Sequence, residues 1–171
     1  MPITTNLEEI SIISQKKQHE NDAFSVFLKS QPGKAVDEIV FRLNEEIAPK
    51  IDCTKCGNCC KTLMIQVESD EAALVSDKMN ISLVAFETNY VEKSSNGQMI
   101  INAIPCHFLS DHKCTIYEHR FSGCREFPAL HLPYFTSRLF TTFMHYDRCP
   151  IIFNVIEALK QELSFAMNER L

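Results

Sequence analysis

Four cysteines fall within eight residues, Cys53-Thr54-Lys55-Cys56-Gly57-Asn58-Cys59-Cys60, and four more follow at Cys106, Cys114, Cys124 and Cys149. Thiolates three residues apart on a turn can point at one ion or cluster, because backbone N–H groups line the concave side. Pairs with two intervening residues serve zinc knuckles and iron–sulfur loops alike. Gly57-Asn58 supplies residues that tolerate the positive φ such a loop needs. All eight cysteines are therefore candidate metal ligands, sufficient for two four-ligand centres or for one centre plus spare or redox thiols. Adjacent Cys59 and Cys60 are expected to point in different directions, so that they serve different centres or one stands beside the metal. All-thiolate ligation suits iron and zinc.

An even cysteine count would mean disulfides in an oxidising compartment and metal or redox chemistry in a reducing one. The start of the chain, Met1-Pro2-Ile3-Thr4-Thr5-Asn6-Leu7-Glu8-Glu9, lacks a basic stretch followed by an apolar run. The expectation is a cytoplasmic protein with thiols available to metal. No run approaches 18 apolar residues, so no spanning helix and no membrane partner is expected. The net charge of −5, from 22 acidic and 17 basic residues, argues against nucleic acid as a partner.

Basic residues adjoin five of the cysteines: Lys55, Lys61, Lys113, Arg125 and Arg148. Four thiolates on Zn²⁺ or on a 4Fe–4S core of charge +2 leave about −2, which nearby cations offset while holding thiol pKa values low. His107 and His119 lie near cysteines but read as solvated or packed rather than as ligands, and His131 and His145 more so. No Ser-His-Asp order, catalytic carboxylate pair or phosphate-cradling loop stands out, so catalytic residues stay unassigned.

The run Pro105-Cys106-His107-Phe108-Leu109, then Cys114-Thr115-Ile116-Tyr117-Glu118-His119-Arg120, then Cys124-Arg125-Glu126-Phe127-Pro128, completes a pattern. With the C-x-x-C-x-x-C-C cluster it resembles the cysteine-cluster family named for that motif (YkgJ-type), whose members are described as zinc- or iron-chelating or as iron–sulfur proteins. The likeness spans about Cys53–Cys149. It departs at Phe121, where the family usually has a proline that would fix a turn, which puts loop rigidity in doubt. The resemblance places Arg120 and Arg125 inside the motif. Tyr117, Arg120 and Arg125 are then candidates to hydrogen-bond the sulfurs from behind the ligands, with Glu118 or Glu126 orienting one guanidinium. What the family implies is a centre of iron–sulfur (4Fe–4S) or zinc type. Its role would be redox or accessory, with a protein partner or electron carrier, or structural in the case of zinc. A bacterial flagellin lysine methylase is similar through the same motif, which implies protein modification as a further alternative; the chain shows no glycine-rich loop for a nucleotide or S-adenosylmethionine.

The elements that must position these residues can be read from pattern. The 171 residues, 45% hydrophobic and 23% charged, suffice for one folded domain with its own core. Three sections are expected: an N-terminal helical segment over 1–50, a cysteine-cluster domain over 51–150, and a C-terminal helix over 151–171. Thr5-Asn6-Leu7-Glu8 fits a capping box opening one helix to about Ser30. A second helix covers about Lys34–Ile47, with Val36, Ile39, Val40, Leu43 and Ile47 on one face. Strands are expected at Leu63–Val67, Met99–Ile104 and Leu139–Phe143, and helices at Asp70–Lys78 and Leu83–Val91, capped by Ser69 and Ser82. Ser94–Gly97 reads as a turn, and Cys106–Pro133 as loops and short helical turns. The last helix opens with Pro150 and carries Ile152, Val155, Ile156, Leu159, Leu163 and Met167 as one stripe. The fold class is α+β: a small metal-stapled domain flanked by a helical pair and a closing helix.

Overall fold

The computed structural model describes residues 2–166. The described residues form two compact units, one from residues 2–51 with 128–166 and one from residues 52–127. In the first, Asn6 rather than Thr5 caps the opening helix: its side chain accepts from the backbone N–H groups of Glu8 and Glu9. The helical stretch is split. Helix α1 (Leu7–Lys16) ends at Lys17, whose φ of −98° and ψ of 12° leave helical geometry, and α2 (Gln18–Lys29) resumes at once. Helix α3 (Gly33–Ile47) buries Val36, Val40, Leu43 and Ile47 of the predicted face and leaves Ile39 half-buried, and Pro49 sits in a single 3₁₀ turn after it.

The second unit opens with two short helices, α4 (Cys53–Cys56) and α5 (Asn58–Thr62), joined at Gly57. Strand β1 (Gln66–Val67) follows, shorter than expected, because Leu63–Ile65 lack a ladder partner beyond one bond from Ile101 N–H to the Ile65 carbonyl. Helices α6 (Ser69–Lys78) and α7 (Leu83–Tyr90) lie close to prediction. Glu68, not Ser69, is the N-cap of α6, and the Ser82 hydroxyl caps α7 at Ala85 N–H. Strands β2 (Val91–Lys93) and β3 (Met99–Ile101) complete an antiparallel sheet of order β1-β3-β2. A two-stranded hairpin, β4 (Leu109–Ser110) and β5 (Lys113–Cys114), then α8 (Ser122–Glu126), fill the stretch expected to be loops and helical turns. The core of this unit gathers Val67, Val75, Phe86, Met99, Phe108 and Phe121. Phe121 therefore answers the question raised by the missing proline. It is 2% exposed and stacks at a tilt on Phe108, 6.1 Å between centroids, so burial rather than a fixed φ anchors this loop.

Residues 128–150, grouped with the cysteine segment in the sequence reading, belong to the first unit. Asp37 ties this segment to α3, and Arg138 holds the segment to itself. The buried Asp37 of α3 accepts from the N–H groups of Tyr134 and Phe135, both at 2.8 Å. Arg138 donates to the carbonyls of Ala129 at 2.7 Å, Leu132 at 2.5 Å and Pro133 at 3.2 Å. Leu139–Phe143, expected as a strand, is helix α9 (Leu139–Met144), which buries Leu139 and Thr142. Four apolar residues in six carried no period able to separate strand from helix.

Helix α10 (Pro150–Glu162) packs on α3 and α1. The predicted stripe is buried at Ile152, Val155, Ile156 and Leu159, and Met167 lies outside the described residues. The helix is enclosed more widely than a stripe implies, since Asn154, Glu157 and Lys160 are buried as well. Each has partners. Asn154 exchanges hydrogen bonds with the Thr4 backbone, and Lys160 Nζ donates to Asn21 at 2.6 Å and reaches Glu157 and Glu20, each at 2.8 Å. The architecture is α+β, helical at both ends with short antiparallel strands. Among the described residues no helix is long and apolar enough to cross a membrane.

Candidate metal centre

The first cysteine segment is shaped by its flanks. The Asp52 carboxylate accepts from Thr54 N–H at 3.0 Å and from the Thr54 hydroxyl at 2.6 Å, starting α4 at Cys53. Gly57 ends it with φ +59° and ψ 9°, the left-handed conformation that turns the chain into α5. A Cβ on Gly57 would also stand 2.9 Å from His112 Cα and 3.0 Å from its carbonyl oxygen. Both demands select glycine. Gly57→Ala is expected to cost at least about 1–2 kcal/mol from the left-handed backbone alone, with more from displacing the Asp111–His112 turn. Chemical denaturation checks it; a loss below 0.5 kcal/mol, the usual range for a surface change, would contradict it.

Seven of the eight cysteines lie in the second unit, on separate pieces of chain: Cys53 and Cys56 on α4, Cys59 and Cys60 on α5, Cys106 before the hairpin, Cys114 on β5 and Cys124 on α8. None is in a disulfide. Cys106 is tied to the cluster by its N–H, which donates to the Cys60 carbonyl at 2.8 Å. Cys106, Cys114 and Cys124 are half-buried against the unit's apolar core. The Cys59 and Cys60 sulfurs, expected to diverge, lie 3.9 Å apart. Among the described residues no three His, Cys, Asp or Glu side chains stand at the spacing of a closed metal site. Cys149 belongs to the first unit, buried at the N-cap of α10.

Electrostatics shows which thiols share a neighbourhood. Burial pushes the Cys124 thiol up to about 12, and the charges that Cys60, Cys106 and Cys114 would carry push the same way. Burial likewise raises Cys106, with Cys60 and Cys114 adding to it. It raises Cys114, where Cys60 adds. Cys60 thus raises Cys106, Cys114 and Cys124 alike. Cys60 itself is raised first by its contact with Cys59 and then by burial. Cys53 is raised by burial, then by Cys56 and Asp52. These directions reverse the expectation that basic neighbours hold thiol pKa values low. At Cys53, Cys60, Cys106, Cys114 and Cys124, burial and neighbouring thiols outweigh the nearby cations.

Of the cations adjacent in sequence, Lys61 opposes the rise at Cys60, but the cation acting on most thiols is not one of them. Arg120 is the one whose charge opposes the rise at Cys53, Cys114 and Cys124. Its guanidinium lies 3.9 Å from the centroid of the Tyr117 ring, which holds it in place. Lys55 extends into solvent beside Asp52, and Arg148 pairs with Asp147. Arg125 donates to the Arg120 carbonyl, and its acidic partner is Glu71 of α6 at 3.3 Å, not Glu118 or Glu126. Glu71 also accepts from Ser122 N–H at 2.5 Å, so it pins both ends of α8. Sequence distance hid this pair, since 54 residues separate its members.

His107 is engaged elsewhere, with Nε2 2.6 Å from the Asn102 side-chain oxygen and its ring edge-on to Tyr90. His145 lies in the first unit, where burial lowers its pKa. His112 was not singled out in the sequence. Its Nδ1 lies 3.0 Å from Lys61 Nζ and 3.3 Å from the Cys56 carbonyl oxygen. A cavity of about 330 Å³ lies in the helical unit, lined by residues such as Ser11, Gln15, Asn21, Tyr146 and Arg148, with no cysteine among them.

Residues 52–149 match the profile of the CxxCxxCC family, described as "Putative zinc- or iron-chelating domain". No curated protein and no solved structure matches the chain.

Proposed function

The chain belongs to the CxxCxxCC family, and from that premise we propose that its cysteine unit holds an iron–sulfur centre with a redox or accessory role. The observation that carries this reading is the placement of Cys60, Cys106, Cys114 and Cys124, four soft donors from four separate segments: the Cys106 N–H bonds the Cys60 carbonyl, and Cys106, Cys114 and Cys124 are half-buried on one apolar core. A thiol set of this kind suits iron–sulfur clusters and zinc and disfavours hard cations. Cys60, Cys106, Cys114 and Cys124 would hold the centre, with Cys53, Cys56 and Cys59 beside it. When bound, such a cluster supplies one-electron chemistry. The chain's own part is to release the thiol protons, to exclude water with Phe108 and Phe121, and to set Arg120 against the ligand charge. A protein partner or electron carrier would exchange the electron, and a cytoplasmic setting would keep the thiols reduced.

The short strands of the unit favour a second reading, structural zinc, in which metal replaces missing core. The test is anaerobic purification followed by absorbance, iron, sulfide and zinc determination. Brown protein with broad absorbance near about 400 nm and matched iron and sulfide supports the cluster. Colourless protein with zinc supports the staple, and absence of both metals overturns the two. Cys149→Ala belongs in the same series. Lost metal would assign Cys149 to the centre, and retained metal with lowered stability would assign it to the helix core.

The two arginines are expected to separate in this assay. Arg120→Ala removes the cation facing three thiols, so metal is lost about 10–100-fold more readily. Arg125→Ala removes a half-exposed pair with Glu71 and costs about 0–1 kcal/mol with metal content unchanged. Equal metal retention in both variants would contradict the assignment.

A further inference from the structure

His112 occupies an unusual position for its residue type. The hairpin β4–β5 turns on Asp111 and His112 alone, and both have positive φ, 45° and 67°. This is the two-residue turn that asparagine and glycine ordinarily fill. A histidine there carries a conformational cost, since side chains with a Cβ rarely adopt it. Its backbone lies against Gly57, at the distance where even a methyl group would not fit. Its ring then reaches back over the first cysteine segment, to the Cys56 carbonyl and to Lys61, the residue after Cys60. One residue therefore touches the end of α4, the link to α5 and the side chain following the vicinal cysteines, and it stands two positions before Cys114.

We propose that His112 is a positioning residue for the metal centre: it latches the C-x-x-C-x-x-C-C segment to the Cys114 strand and so sets the spacing between ligands that come from different parts of the chain. The proposal deepens the metal-binding reading and rests on it. Nδ1 makes one of two bonds: as a lone pair it accepts from the Lys61 ammonium, directing that cation from α5 to the hairpin turn, and as N–H in the other tautomer it donates to the Cys56 carbonyl; either one ties the turn to the first cysteine segment. Without the ring, the Gly57–His112 backbone approach remains, but nothing holds Lys61 or the Cys56 carbonyl against the turn. The ligand segments then have to be ordered by the metal itself, and binding weakens accordingly.

The test uses anaerobically purified full-length protein with whatever metal it carries, in three forms: wild type, His112→Gly and His112→Asn. Glycine keeps the positive φ and removes the ring. Asparagine keeps the positive φ and restores an acceptor for Lys61. Metal content, the rate of metal transfer to the chelating dye 4-(2-pyridylazo)resorcinol, and metal-edge X-ray absorption are recorded on each. The expected result is transfer at least about 10-fold faster from His112→Gly, partial recovery in His112→Asn, and an unchanged sulfur coordination shell in all three. Wild-type transfer rates in His112→Gly overturn the latch. Loss of a nitrogen scatterer in His112→Gly also overturns it, by making the ring a ligand. A wild-type protein that holds no metal overturns the reading beneath it, a result distinct from the other two.

Discussion

Stripping the metal from the cysteine unit is expected to collapse amide protection across residues 52–127 by at least about 100-fold, because structural thiolate sites carry roughly 10–16 kcal/mol of folding free energy. The helices of residues 7–47 and 150–162 should keep theirs. The contrast follows from what each unit is built of. The cysteine unit has strands of two or three residues, and its core is shared with the half-buried thiols of Cys106, Cys114 and Cys124. Those thiols, raised by burial and by one another, become mobile ligands without a metal. The helical unit has Phe24, Leu28, Val40, Val155 and Leu159 fully or almost fully buried, and none of them depends on metal. Hydrogen exchange with and without chelator measures the difference. Equal protection of residues 52–127 in both states would show that the apolar core suffices.

Lys160→Ala is expected to cost about 3–5 kcal/mol, the range for breaking a buried ion pair by removing one partner. The Lys160 ammonium is enclosed by Glu157, Glu20 and Asn21, with the rings of Phe24 and Tyr146 within 6 Å. Without it, Glu157 keeps Tyr146 OH at 2.7 Å and Lys17, but the carboxylate is left short of its buried cation. Lys160→Met with Glu157→Met removes both charges at similar volume, so it should recover most of the loss. If the single and double variants are equally unstable in denaturant titration, packing rather than charge carries the effect.

The same network sets an acid limb. Burial alone would raise the Glu157 carboxyl, but hydrogen bonds from Lys160, Lys17 and Tyr146 outweigh it and hold the group below the usual carboxylate range. A depressed folded-state pKa means the contribution is complete above the unfolded value of about 4.3 and is lost as pH falls through the lower folded value. Glu157→Gln should therefore flatten the stability profile below about pH 4.3 while lowering it at neutral pH.

Metal chemistry was legible in the sequence because ligand spacing is local: Cys53, Cys56, Cys59 and Cys60 sit within eight residues whatever the rest of the chain does. The apolar face of α3 and the opening of α10 at Pro150 were legible for the same reason, since period and cap chemistry are short-range. Tertiary structure decided what depends on partners distant in sequence. Glu71 rather than Glu118 or Glu126 takes Arg125, and Arg120 rather than the adjoining lysines faces several thiols, because charge acts through space and not along the chain. Leu139–Met144 is a helix in a segment that Asp37, distant in sequence, ties to α3 through the N–H groups of Tyr134 and Phe135. A backbone bond links Cys106 to Cys60, and one apolar core holds Cys106, Cys114 and Cys124; such contacts, distant in sequence, lie outside any spacing rule within one segment.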